Sequence, residues 1–336
     1  MKYTLLSLLL VATCFMARAQ EYSSSFNALR LPVSSHVAAL GGQHISLIED
    51  HPAVGWNNPA LSANASDLSL GLNFMTYFSG SSWMGAHFVK ALGERHTLSV
   101  GAQYMHYGSM DETDALGNTI GKFNAKDILI GGGYSYLLSD RWSGGANLKF
   151  YFSNLADYSS IAFALDLGLN YFDEENDFSL SAALQNLGTQ VKSYDDGLRT
   201  HLPLTLSLGF SKGMAHLPIR FHVTLADITR WKSSYFVYPD KDEAEADKGR
   251  NKSISLGTRM LNHLVVGIDV LPTDYLYLSL GYNFRRAYEL KAAGSSHWAG
   301  FSAGGGVQIK RFQLGISYAQ YHQAGNSLQF NVGYTL

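Results

Sequence analysis

Gly209-Phe210-Ser211-Lys212-Gly213 has the Gly-x-Ser-x-Gly spacing of a nucleophile elbow. That chemistry needs a strand, a sharp turn that lifts the serine hydroxyl into the open, and a helix directly after it. Met214 to Pro218 instead makes a short connection into another alternating run, so Ser211 reads as a strand and turn residue. A hydrolase acting through Ser211 would lose its activity on Ser211→Ala. No histidine falls in the His-Glu-x-x-His spacing of a zinc site, and the histidines read as polar loop or lumen residues. Asp240 to Asp247 crowds carboxylates together but lacks the spacing and glycine of a calcium-binding EF-hand loop, so it reads as a solvated loop. Gly131-Gly132-Gly133 and Gly304-Gly305-Gly306 precede no helix start and are no phosphate cradle. Within strands, such glycines relieve crowding or let another segment pass close to the backbone. No catalytic residue, cofactor or metal site is expected, and the chain is not expected to be an enzyme.

The elements that hold these residues follow from export and alternation. Lys2, the apolar run Leu5 to Phe15 and Ala17-Arg18-Ala19 form a secretory signal over residues 1–19, with cleavage expected after Ala19. Lipid attachment at Cys14 would need a small residue just before it, and Thr13 does not supply one. Cys14 is the chain's single cysteine, so processing would leave no thiol and no disulfide. Lys and Arg number 25 against 27 Asp and Glu, which leaves no basic field for nucleic acid. Charged residues make up only 15% of the chain, against roughly 25% in soluble domains. No later segment reaches the ~18 consecutive apolar residues of a membrane helix. Only helices and closed barrels satisfy every backbone polar group in lipid. The chain therefore reads as all-β, a transmembrane antiparallel β-barrel of about 14 strands over residues 67–336.

Period-two alternation supports this directly. Leu68, Leu70, Leu72 and Phe74 alternate with Ser69, Gly71 and Asn73, and Phe163 to Tyr171 alternates around Asp166, Gly168 and Asn170. Fourteen such runs are centred near residues 72, 86, 102, 132, 148, 166, 182, 207, 223, 266, 279, 303, 316 and 331. A ten-residue strand tilted near 45° spans about 23 Å, the height of the apolar band. Connections 91–95, 139–141, 172–177, 211–218, 271–274 and 309–311 are short, and 108–126, 187–202, 229–262 and 285–298 are long. That is the outer-membrane pattern of short periplasmic turns and long outward loops, which a two-sheet sandwich has no reason to produce. Leu328 to Leu336 alternates as a closing strand. Tyr104, Tyr107, Trp142, Tyr171, Tyr275, Tyr277 and Trp298 fall near strand ends, where aromatics form interfacial girdles. Asp166 and Asp269 occupy the non-lipid phase and, like Arg285 and Arg286 at a strand end, should face the lumen and find partners.

Residues 20–66 differ from the rest: loop-like, with Ala39-Leu40-Gly41-Gly42, Glu49-Asp50 and Asn58-Pro59-Ala60-Leu61. This stretch resembles the leading signature of the PorV/PorQ family, most nearly its PorQ branch, with His36 where the family carries Arg. Asn186-Leu187-Gly188, placed at the close of the seventh strand, and the stretch Asn262 to Leu290 extend the resemblance over the chain. The resemblance implies an outer-membrane barrel related in fold to FadL transporters, with residues 20–66 tucked inside as a hatch. The other reading of that segment is a periplasmic tail. It also implies a part in the type IX secretion attachment complex, anchoring PorZ beside PorU and PorV-like proteins in outer-membrane lipid. The alternative is a FadL-like transporter of hydrophobic small molecules.

Overall fold

The computed structural model describes residues 26–77, 80–195, 200–230, 256–289, 298–322 and 325–336. The expected signal over residues 1–19 and the acidic run 240–247 lie outside them. The strands are β1 (Ser69–Thr76), β2 (Ser82–Ala91), β3 (His96–Thr113), β4 (Thr119–Leu137), β5 (Trp142–Leu155), β6 (Tyr158–Asp173) and β7 (Phe178–Lys192). They continue as β8 (Thr205–Gly213), β9 (Ile219–Leu225), β10 (Leu264–Thr273), β11 (Leu276–Asn283), β12 (Phe301–Ile309), β13 (Phe312–His322) and β14 (Gly325–Thr335). Each pairs antiparallel with its chain neighbours, and β14 closes on β1 from Ser69 opposite Thr335 to Thr76 opposite Leu328. Closure removes both sheet edges, the condition for a β wall in lipid. No described helix is long and apolar enough to cross a membrane.

Alternation sorts the wall into two faces. Leu70, Leu72 and Phe74 point out from β1 while Gly71, Asn73 and Met75 are buried inside, and β6 sets Phe163, Leu167 and Leu169 outside against Asp166 and Asn170 inside. Every expected strand centre falls inside an observed strand.

Four expectations need correction. The 108–126 connection is a continuation of strands: β3 and β4 run on as a hairpin whose turn is set by Asp114, which accepts from the N–H groups of Leu116 and Asn118 at 2.9 and 2.8 Å. The 187–202 connection likewise begins only after Lys192. Asn186-Leu187-Gly188 lies within β7; Asn186 adopts φ 60° at a register shift opposite Asp166. Such a bulge aims its N–H at Asp166 Oδ1, 2.7 Å away. Of the expected girdle aromatics, Tyr107 and Tyr277 point inward instead, because they share phase with Met105 and Ser279. Trp142 and Tyr171 pack edge-to-face, ring centroids 5.1 Å apart, where β5 begins.

The leading segment, from Phe26 to Ser66, is held inside this wall. Ser34 caps the helix Ser35–Ala39, its hydroxyl accepting from Val37 N–H at 3.2 Å. Gly41 and Gly42 then take φ of 104° and 87°, the left-handed region that glycine adopts without a Cβ clash. A second short helix, Val54–Asn57, leads to Asn58, which caps the 3-10 turn Pro59–Asn64 with Pro59 at its first position. Asp50 closes the loop by accepting from Ser66 N–H and Oγ–H at 2.6 and 2.7 Å.

Two features fit this segment to the wall. Every strand except β2, β7 and β9 presents an inward glycine against it. A Cβ on Gly101 would meet Trp56 at 2.6 Å, on Gly145 Pro59 at 2.7 Å, on Gly209 Ile45 at 2.7 Å and on Gly304 Ala39 at 2.7 Å. Carbonyls at the ends of the segment's short helices and in its irregular stretches are met by wall side chains. Ser302 donates to Ala39 at 2.7 Å, Asn147 to Gly55 at 2.8 Å, Gln185 to Asn57 at 2.7 Å, Gln313 to Asp50 at 2.9 Å and Gln329 to Pro32 at 3.2 Å. Buried backbone carbonyls need such partners, and irregular chain has no ladder of its own. Phe26, Val33 and Trp56 add an apolar cluster with Met75, Trp83, Met105, Leu129 and Tyr151, each large side chain contributing about 1.5–3 kcal/mol.

Candidate functional site

A chain of buried polar side chains crosses from the leading segment to strands β8 to β11. His36 Nδ1 lies 2.7 Å from Glu49 Oε2, and His36 Nε2 lies 3.0 and 3.1 Å from the two oxygens of Asp269. The Tyr277 ring stacks on the imidazole at 3.9 Å, 16° from parallel. Ser279 donates to Asp269 Oδ1 at 2.5 Å, and His222 Nε2 meets Asp269 Oδ2 at 2.9 Å. His222 Nδ1 meets Ser211 Oγ at 2.8 Å, and Ser211 meets Ser46 of the leading segment at 2.7 Å. Nearby, His44 bridges Thr224 at 2.9 Å and the Leu40 carbonyl at 2.6 Å.

The partners fix the protons. Both nitrogens of His36 face carboxylates, so both carry hydrogen and the ring is a cation. Burial would push its pKa down, but Asp269 and Glu49 outweigh burial and lift it to about 10. His44 is pulled down to about 3 by burial and by the neighbouring His222, against the Leu40 carbonyl. It is neutral, donating from Nε2 to Leu40 and accepting from the Thr224 hydroxyl at Nδ1. His222 gives its Nε2 hydrogen to Asp269, which leaves Nδ1 to accept from Ser211. One cation thus sits between two carboxylates at a junction of segment and wall.

Ser211, His222 and Asp269 have the hydrogen-bond order of a nucleophile, a base and an orienting acid. The surroundings do not supply the rest. Ser211 is 3% exposed, sits inside β8, pairs in register with His222 of β9, and is covered by Ser46. No helix follows it, and a substrate carbonyl has no space beside its hydroxyl. The arrangement fastens the segment. Among the described residues, no group of His, Cys, Asp and Glu is placed to hold a metal ion.

A second fastening lies across the lumen. Lys149 pairs with Asp166 at 2.5 Å, donates to the Trp56 carbonyl at 3.1 Å and stands 4.8 Å over the Trp56 ring. Arg285 pairs with Asp227 at 2.6 Å, and Arg286 lies against Gly42.

The motif residues of the leading segment divide between these places. Ala39 and Leu40 are fully buried against Gly304, Gly267 and Gly281, and the Gly41 carbonyl accepts from the Asn283 amide at 3.1 Å. Gly42 faces Arg286 and Glu49 joins the relay, whereas Asp50 turns away to Ser66. Asn58, Pro59, Ala60 and Leu61 form a separate contact on β4 to β6; Asn58 donates to the Ile45 carbonyl at 2.9 Å and Ser143 to the Ala60 carbonyl at 3.0 Å. His36, His222, Ser46 and Lys149 were not singled out by spacing. Their sequence signals are the place of His36 in the leading motif and strand phase: His222 and Lys149 fall on the inward positions of β9 and β5.

Two cavities adjoin the site. One of about 340 Å³ lies at the short-turn end beside Glu49, His51, Arg220 and Asp274. On the lipid-facing side, Leu278, Leu314, Ile316 and Phe330 wall a groove of about 710 Å³ over Gly304-Gly305-Gly306, where missing side chains thin the wall.

No protein-family model matches the sequence, and no curated protein does. Solved structures do match. The Pseudomonas putida toluene transporter TodX superposes with a TM-score of 0.54 at 13% identity, covering 90% of this chain and 97% of that one. The monoaromatic hydrocarbon channel CymD gives 0.53 at 13% identity, with 90% and 96% covered. A Pseudomonas aeruginosa FadL homologue gives 0.50 at 11% identity, with 90% and 98% covered. At such identities the likeness is one of fold: the chain is similar to the FadL-type outer-membrane barrels in architecture, a closed antiparallel wall of fourteen strands.

Proposed function

We propose that the chain works in the bacterial outer membrane, that residues 1–19 are its export signal and residues 20–66 its hatch, and that it takes up hydrophobic small molecules. The observation that carries this is the apolar groove of about 710 Å³ over Gly304-Gly305-Gly306, walled by Leu278, Leu314, Ile316 and Phe330. A molecule that moves from water into such a groove gains about 25 cal/mol per Å² of apolar surface buried. The neighbours of like fold named for toluene and monoaromatic hydrocarbons support the reading. Uptake of labelled toluene and of a labelled fatty acid by cells with and without the gene tests it. Deletion should lower uptake of at least one of the two, and unchanged uptake of both would refute it.

A second reading is favoured by the leading segment itself. The resemblance to the PorV/PorQ family rests on residues that lie against the wall, and His36, standing where that family has Arg, keeps a cation there between Glu49 and Asp269. In this reading the plugged barrel anchors PorZ, with PorU and PorV-like proteins, for processing and surface attachment of type IX cargo. The β3–β4 hairpin would offer surface to a partner; the 229–262 connection, the other candidate, lies mostly outside the described residues. The same deletion strain separates the two: cargo left uncleaved and unattached with normal uptake favours the anchor, lost uptake with normal cargo the transporter.

A further inference from the structure

At the long-loop end, above the leading segment, Tyr107, Asp127, Ser153, Tyr158 and Tyr194 line a cavity of about 470 Å³. Asp127 lies on the inner face of β4, 2% exposed. Its Oδ2 accepts from the Tyr107 hydroxyl at 2.5 Å and its Oδ1 from the Ser153 hydroxyl at 2.5 Å, while Ser153 accepts from Tyr194 at 2.7 Å. The other buried carboxylates of the described residues each meet a cationic side chain: Asp166 meets Lys149, Asp173 meets Arg141, Asp227 meets Arg285 and Asp269 meets His36. Asp127 meets hydroxyls, and among the described residues no Lys, Arg or His pairs with it. The Tyr151 hydroxyl also faces the carboxylate, which still keeps acceptor capacity, and a buried charge is normally matched by an opposite one.

We propose that this cavity binds a small organic ammonium ion, a primary amine on a flat apolar body, with Asp127 as counter-ion. The ammonium hydrogens take the remaining lone pairs of the carboxylate, in charge-assisted bonds stronger than the neutral ones already present. The rings of Tyr107, Tyr158 and Tyr194 supply faces that attract a cation, and Met110 and Leu155 receive the apolar body. The cavity floor joins the leading segment: Phe26 packs edge-on to Tyr151 at 4.9 Å, and Tyr151 is the next inward residue of β5 below Ser153. Binding here does not require that the ligand cross the wall, so the site stands whether the barrel transports or anchors.

Calorimetric titration of the purified full chain in detergent micelles tests the assignment, using 2-phenylethylamine and, as a neutral body of the same shape, 2-phenylethanol. The amine should bind at least about tenfold more tightly than the alcohol, and D127N should weaken the amine by about tenfold while leaving the alcohol unchanged. Equal affinities, absence of amine binding, or an amine affinity that D127N does not alter would overturn the proposal. Should D127N fail to fold, judged by loss of the heat-dependent mobility shift of a barrel on gels, the amine-to-alcohol ratio of the unaltered protein decides alone.

Discussion

Asp269→Asn removes one negative charge and little volume, and its consequence can be worked from the relay. The carboxylate takes hydrogens from His36, His222 and Ser279 within 2.5–3.1 Å and is fully buried. An amide at that place leaves the His36 cation with Glu49 alone and turns an NH₂ toward a ring nitrogen that also bears hydrogen. Breaking one side of a buried ion pair costs about 3–5 kcal/mol. The strands keep their ladders, so the cost falls on docking of the leading segment. A reporter follows from the sequence: the single cysteine, Cys14, lies in the expected signal, so Ala53→Cys would give the processed chain one thiol, at a position of 0% exposure. Its reaction with a maleimide reports the open fraction, which D269N should raise on the order of a hundredfold to several thousandfold. With His36→Ala added, the penalty should fall below the sum of the two single changes, because the stranded cation is gone. A labelling rate within about threefold of the parent, on a barrel that still shows the heat-dependent shift, would refute the latch.

Three further outcomes use the same reporter. The pH profile should be V-shaped on a logarithmic scale. His36 is raised in the docked state, so its contribution is whole below its ordinary value of 6.5 and is lost as pH climbs through about 10; His44 is lowered, so its contribution is whole above 6.5 and is lost as pH falls toward about 3. Labelling, divided at each pH by the rate of the same thiol in the unfolded chain so that thiolate formation cancels, should be slowest near pH 6.5, and a monotonic ratio would contradict the assignment. Gly145→Val drives a branched Cβ into Pro59 and should weaken docking by about 1–3 kcal/mol, whereas Gly257→Ala, with nothing within 4 Å, should leave labelling unchanged. Ser211→Ala removes the bond to Ser46 and leaves His222 Nδ1 unmatched, a loss of about 1–3 kcal/mol in docking. Neither it nor the parent should cleave nitrophenyl esters; cleavage by the parent that the variant lacks would restore the hydrolase.

The wall was legible because its two determinants are local. Period-two alternation marks each strand, and turn residues mark its ends, so all the strand centres and the inward phase of Asp166 and Asp269 could be read directly. The hairpin beyond Gly108 reads as loop in the sequence because Asp111, Glu112, Asp114, Lys122 and Lys126 interrupt the apolar alternation once the chain leaves the apolar band, although the pairing from Ser109 with Asn124 to Thr113 with Thr119 continues. Nearness to a strand end suggests a girdle place for Tyr107 and Tyr277, whereas phase decides which way a strand residue points. The relay was hidden for a different reason. His36 and Asp269 are 233 residues apart and meet only because the leading segment folds back across the lumen; no spacing rule carries that distance.

The inward glycines and the leading segment make sense only together. A barrel interior wider than its own side chains can fill must hold water or a plug, and irregular chain can serve as the plug only where its carbonyls find donors. Glycines on the inner positions bring the segment's backbone near the wall. Ser143, Asn147, Asn283, Ser302 and Gln329, in the same inward phase, then supply the donors that the ladder cannot spare. The buried ions come third: His36 with Asp269, and Lys149 at Asp166 and Trp56, tie the segment to opposite sides of the ring. A molecule passing through the lumen would have to part at least one of these ties. Substitution of either pair should therefore raise permeation together with thiol labelling, and a variant that labels freely yet admits no solute would separate the plug from the pore.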